Sequence, residues 1–222
     1  MSKPKLSESQ EDYLKHIFLL SRHEESVSTN DLSSHLNVKP ASVTNMLKKL
    51  AKLQLVTHEP YYGVNLTDAG EKVALEIVRH HRLIELYLAE VLGYEWHEVH
   101  DEAERLEHII SERFEERIAE QLGHPTHDPH GDPIPSVDLE LPKSVDQLPI
   151  TECNPGEVGV ISRVISQDSD FLNMLTRLGL VLKSEIKILE NDAKGTRVQI
   201  GDQQYLLPTE TASFILVEPA KH

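Results

Sequence analysis

The hydrophobic period of this chain changes once, and a proline-rich stretch marks the place. Up to Gly123 the apolar residues recur every three to four positions, the spacing of helices packed on one face. Beyond Pro149 they recur about every second position, the spacing of strands. Between the two lie Pro125, Pro129, Pro133, Pro135, Pro142 and Pro149, with Gly123 and Gly131, a composition that interrupts helix and strand alike. A chain divided in this way is expected to be mainly α with a small β module after a connector.

Local signals place the elements. Ser7-x-x-Gln10 is a capping box, followed by Tyr13, Leu14, Ile17, Phe18 and Leu20 at helical spacing. Ser28-x-x-Asp31 opens a short helix to about Leu36, and Pro40 opens a third through Val43, Met46, Leu47 and Leu50. Leu55–Thr57 and Val64–Leu66 flank His58–Gly63, which predicts a hairpin with a glycine near its tip. Thr67 caps a long helix through Val73, Ile77, Ile84 and Leu88, with Gly93 as its stop. One further helical stretch is expected from about Glu95 to Leu122. After the connector, strands are expected at Val158–Ile161, Ile186–Leu189, Arg197–Ile200, Tyr205–Leu207 and Phe214–Val217. An amphipathic helix, Phe171–Leu178, interrupts them, and the whole suggests a small barrel.

Charge is unevenly distributed. Lys and Arg number 22 against 37 Asp and Glu, a net charge of −15. Residues 1–70 balance, with eight of each sign, so the excess lies entirely after them. Bulk attraction to nucleic acid or to an anionic membrane is therefore excluded, while residues 39–52 carry Lys39, Lys48, Lys49 and Lys52 and no acid. The single cysteine, Cys153, excludes an internal disulfide framework and suggests a reducing compartment. The start MSKPKLSESQED has no apolar core for a signal peptide, and no apolar run is long enough to span a bilayer. The expectation is a cytoplasmic protein with no membrane partner.

Helix, helix, turn, helix, hairpin over residues 8–66 is the order of a winged helix-turn-helix, which reads base edges with the first turns of one helix. Lys39, Pro40, Ala41, Ser42, Thr44 and Asn45 occupy that start. Lys48 and Lys49 follow on the phosphate side, and Tyr61 or Tyr62 on the hairpin is placed for backbone contact. The bland alternative is a packed helix with an ordinary solvated face, or a docking module for protein.

A second pattern is denser. His81 and Glu85 stand at i and i+4, and His100, Glu104, Glu107 and His108 at i, i+4, i+7 and i+8. On one helix face such residues converge, and clustered acids repel unless a cation sits among them. A divalent metal is one answer; ion pairs with Arg82 and Arg105 are the other. Glu-x-x-His helices also build metalloenzymes. Against that, the chain has neither a His-Glu-x-x-His motif nor a convincing nucleophile–base arrangement.

The chain resembles the metal-dependent repressors that include the diphtheria toxin repressor and the manganese transport regulator. The stretches that carry the resemblance are Glu11–Leu14, Lys39–Met46, His81–Glu85, Val99–His108 and His127–Pro135, and it extends over essentially the whole chain. It implies a winged helix-turn-helix domain at 1–72, a helical dimerisation and metal-binding domain at 73–140, a linker at 141–149 and an SH3-like domain at 150–222. It further implies a homodimeric repressor, not an enzyme, that binds double-stranded operator DNA with a divalent metal as corepressor.

By the same resemblance, one metal site maps to Asp12, Glu104, Glu107 and His108. An ancillary set maps to His81, Glu85 and His100, with Gln167 and Asp170 as contributions of the SH3-like domain. Iron-type members have Met and Cys where this chain has Asp12 and Glu104. Hard oxygen ligands at both positions favour Mn²⁺, with Fe²⁺ the alternative, while Co²⁺, Ni²⁺, Zn²⁺ or Cd²⁺ can substitute in vitro. Two-domain manganese members carry an acid where this chain has Lys15, which argues against their closely spaced pair of ions. The rival reading outside metal sensing is a winged-helix regulator that responds to an organic ligand.

Overall fold

The computed structural model describes residues 6–22, 26–59, 62–143 and 145–219. Tyr61 lies outside the described residues. The chain forms two compact units, one of residues 1–81, 106–111 and 135–140, the other of residues 82–105, 112–134 and 141–222.

The first unit is a winged helix-turn-helix. Helix α1 (Glu8–Ser21) starts where the Ser7 N–H donates to Gln10 Oε1 at 2.9 Å, and it buries Tyr13, Leu14, Ile17 and Phe18. Helix α2 (Thr29–His35) is capped by Ser28, whose Oγ accepts from the Asp31 N–H. Helix α3 (Pro40–Lys52) has Pro40 in its first turn, where no amide donor is needed, and it buries Val43, Leu47 and Leu50. Strands β1 (Val56–Glu59) and β2 (Gly63–Leu66) pair antiparallel, Val56 opposite Leu66. Gly63 has φ +98° and leaves no room for a Cβ, which would meet Ser26 Oγ and Val27 O at 2.8 Å each. Helix α4 (Asp68–Glu90) follows, with the Gly70 N–H donating to Thr67 Oγ1.

Past the middle of α4 the second unit begins. The predicted single helix from Glu95 to Leu122 is in fact two, α5 (Val99–Leu106) and α6 (Glu112–Gln121). Between them Ile109 and Ile110, β-branched residues that crowd a helix, precede Ser111 at the position before α6, where serine terminates and restarts helices well. Six strands then form one antiparallel sheet in the order β3-β8-β4-β5-β6-β7. They are β3 (Leu148–Pro149), β4 (Val158–Val164), β5 (Glu185–Asp192), β6 (Gly195–Ile200), β7 (Gln203–Leu207) and β8 (Ile215–Pro219). Helix α7 (Ser169–Leu178), capped by Asp168 and closed by Gly179, and the short α8 (Thr209–Ser213) cover this SH3-like module. Its core is Ile161, Leu172, Leu175, Leu180, Ile186, Val198 and Ile215. The two-residue β3 and the one-turn α8 are too short to show a period. Among the described residues, no helix is long and apolar enough to cross a membrane.

Candidate metal centres

The end of α5 at Leu106 alters how the first donor set is built. Glu107 and His108 are not on the helical face that carries His100 and Glu104; they lie just beyond it, in the 106–111 segment of the first unit. Released from the helix, Glu107 turns fully inward, at 0% exposure, and its carboxylate meets Lys15 Nζ at 2.6 Å and His81 Nδ1 at 2.5 Å. The ring of His108 sits between two carboxylates of α1, with Nδ1 2.8 Å from Glu11 Oε2 and Nε2 2.8 Å from Asp12 Oδ1. Asp12, Glu107 and His108 each offer a donor atom within 4.8 Å of the others. The hydrogen bond to Asp12 raises the His108 pKa, burial opposes it, and Glu11 and the charge of Glu107 add to the rise, giving about 9. The ring is thus held as a cation where acids converge, and the set of two carboxylates and one imidazole suits a divalent cation of the harder kind.

Glu104, on α5, belongs to the second unit, where its carboxylate lies 3.9 Å from His100 Nε2. His81, grouped by resemblance with Glu85 and His100, lies in the first unit and meets Glu107.

The second unit holds a cluster that sequence reasoning missed in part. Glu85, Asp128 and His130 bring donor atoms within 4.8 Å of one another, and all three residues are buried. Asp128 Oδ2 and His130 Nδ1 have no hydrogen-bond partner among the described residues, the arrangement expected of donors aimed at a cation. His100 Nδ1 lies 3.3 Å from Glu85 Oε1. Burial, then the charges of Asp132 and Glu85, pushes the Asp128 carboxyl up to about 8. Burial lowers the His130 pKa, but Glu85 and Asp128 outweigh it and hold the ring at about 9. Glu85 Oε2 lies 3.6 Å from His130 Nδ1 and acts on the ring both through that polar contact and as a buried charge. Arg82 and Arg163 flank the cluster, Arg163 reaching Asp132 Oδ1 at 2.5 Å.

Backbone geometry fixes this loop. The Val164 N–H donates to His130 O at 2.8 Å, and a Cβ on Gly131, φ +85°, would lie 2.1 Å from Ser162 O. Trp96 packs its ring against His130 with centroids 6.0 Å apart and donates to Thr176 Oγ1 at 2.8 Å. The connector has no period that points to Asp128 and His130. The available signal is two aspartates and a histidine alternating with Pro and Gly in Asp128-Pro-His-Gly-Asp132. Gln167 Nε2 donates to Asp132 Oδ2 at 3.3 Å, and Gln167 and Asp170 line an open cleft of about 570 Å³ together with His100 and Asp101.

On α3, Lys39, Pro40, Ser42, Asn45, Lys48 and Lys49 are exposed. Thr44 is half-buried and its hydroxyl donates to Pro40 O at 3.0 Å, so that donor serves the helix itself. Tyr62 is 77% exposed on the hairpin.

Residues 5–64 match the family model for the iron dependent repressor N-terminal DNA binding domain, and residues 67–136 match its metal binding and dimerisation domain. Residues 148–219 match the FeoA domain. An HTH-type transcriptional regulator of Methanocaldococcus jannaschii is 40% identical over 114 residues, covering 51% of this chain and 91% of that protein. The chain belongs to the iron-dependent repressor family. The iron-dependent repressor IdeR of Mycobacterium tuberculosis is 29% identical over 96% of this chain and 98% of its own. A solved manganese-dependent transcriptional repressor in complex with manganese superposes with a TM-score of 0.88 at 36% identity, covering 95% of this chain and 99% of that one. As a member of the iron-dependent repressor family, the protein is a metal-dependent transcriptional repressor and not an enzyme. Family members dimerise and bind operator DNA.

Proposed function

We propose that this repressor is a cytoplasmic manganese sensor that binds operator DNA as a homodimer to control metal-homeostasis genes. The observation that carries the metal choice is the donor chemistry. Asp12, Glu107 and His108 offer two carboxylates and an imidazole, and Glu85, Asp128 and His130 offer the same set again, with no sulfur in either. Oxygen-rich sets of this kind select hard ions by geometry and ligand type. A bound divalent cation supplies the positive charge that lets these acids converge.

The chain's own residues do the rest. Asp12 belongs to α1, which packs within the DNA-reading unit, whereas Glu107 and His108 belong to the segment after α5. Holding them together fixes that segment to α1. Lys39, Ser42 and Asn45 present the readable start of α3, and Lys48 and Lys49, with Tyr62, supply phosphate contacts. His100, which meets Glu85, and Gln167, which meets Asp132, share an open cleft with Asp170, and the three are assigned to the second cluster as outer donors. Iron(II) is the second reading, favoured by the full-length likeness to an iron-dependent repressor.

The deciding experiment measures equilibrium DNA binding of chelator-stripped protein, titrated anaerobically with Mn²⁺ and with Fe²⁺. Saturable binding that requires metal, with its midpoint at the free Mn²⁺ level of the cell and well below that needed for Fe²⁺ activation, supports the manganese reading. The opposite order establishes iron, and equal binding with and without metal points to a regulator of another ligand.

A further inference from the structure

Resting on the reading of Asp12, Glu107 and His108 as a metal centre, we propose that Lys15 sets the affinity of that centre by acting as a resident cation on one of its ligands. Lys15 follows Asp12 by three residues on α1, so the two project from one face of the helix. Its ammonium lies 2.6 Å from Glu107 Oε1, with Lys15 3% and Glu107 0% exposed. A charge so thoroughly removed from water persists only where partners meet it, and Glu107 is one of them here. The other oxygen of Glu107 meets His81 Nδ1 at 2.5 Å, while His108 Nε2 lies 3.3 Å from Oε1. Glu107 is therefore held on both oxygens before any divalent ion arrives.

This arrangement has two opposed effects. Lys15 and His81 hold the Glu107 carboxylate in place, which prepares the centre. The same ammonium remains in place when a divalent ion engages Asp12, Glu107 and His108, and like charges at such separations in a buried setting repel strongly. The net result is a centre that is well formed but weakened. A sensor built this way stays metal-free until the free ion concentration is high. An apolar side chain of the same length at position 15 removes the repulsion and keeps the volume.

Calorimetric Mn²⁺ titration of the full chain at fixed pH, alongside thermal melting of the metal-free protein, tests this. Lys15→Met is expected to tighten Mn²⁺ binding at this centre by roughly tenfold or more and to lower the metal-free melting temperature, because Glu107 loses its counter-ion. Lys15→Arg, which restores the charge, is expected to keep the parent affinity. Lys15→Gln tightens binding in the same direction as Lys15→Met and serves if the methionine variant does not fold. A folded Lys15→Met or Lys15→Gln that binds Mn²⁺ no more tightly than the parent overturns the role of Lys15. His108→Ala separates that result from failure of the centre itself: it must remove one component of the isotherm, and the gain from Lys15→Met must vanish in its background. An isotherm indifferent to His108→Ala overturns the metal assignment of this cluster.

Discussion

At the scale of single residues, His108 governs how the first cluster responds to pH. Its pKa is raised to about 9 by Asp12, with Glu11 and Glu107 adding to the effect against burial. A metal ligand must be neutral imidazole, so below that value the ring has to surrender a proton on binding. Metal affinity is therefore expected to rise about tenfold per pH unit between roughly pH 7 and 9 and then level off. Titrations in buffers of different ionisation enthalpy should count close to one proton released per ion at this cluster near about pH 7.5. A proton count of zero would contradict the charged ring. The same shift acts on the metal-free fold in the opposite sense. A folded pKa above the unfolded one stabilises the fold fully below about 6.5, and that contribution disappears as pH passes about 9.

The elements carry a different lesson, because some of them announce themselves in the sequence and others do not. The capping pair Ser7 and Gln10, Pro40 at the start of α3 and Thr67 ahead of α4 are local chemistry, and each stands where the sequence places it. The break after Leu106 is announced only faintly, by Ile109, Ile110 and Ser111 within an otherwise amphipathic run. Just past it Glu107 turns inward toward Lys15 and His81, residues distant in the chain. Hence Glu107 and His108 are legible as candidate donors, while the helix expected to carry them on one face with His100 and Glu104 ends at Leu106. Asp128 and His130 are hidden for a related reason: their loop is fixed by backbone contacts with β4 that no periodicity encodes.

Two substitutions test elements directly. Gly131→Ala forces a Cβ to within 2.1 Å of Ser162 O at positive φ, and is expected to destabilise the protein by about 2–4 kcal/mol in denaturant unfolding. Asn45→Ala, at an exposed position of α3, should leave the fold intact. It is expected to relax preference at one base position by about 1–3 kcal/mol, read from binding to a panel of operator variants. Equal weakening on every sequence would reassign Asn45 to the phosphate backbone.

Across the whole molecule, charge is partitioned by task. Residues 1–70 are balanced while the remainder carries the entire −15, and Lys39, Lys48 and Lys49 stand exposed on an acidic protein. Affinity for DNA should accordingly show a modest dependence on salt. Replacing Lys48 with alanine is expected to weaken binding on all sequences and to lower the slope of log K against log salt by about one for each phosphate left without its lysine. An unchanged slope would place Lys48 away from phosphate. The packing of Trp96 carries a further consequence. The chain has one tryptophan, and its indole stacks on His130 and is hydrogen-bonded to Thr176 of the β module. Emission from that single ring therefore reports on the surroundings of His130, without any dye or label. Paramagnetic Mn²⁺ seated at Glu85, Asp128 and His130 should dim it in proportion to occupancy, which gives this repressor a built-in optical gauge for filling that cluster.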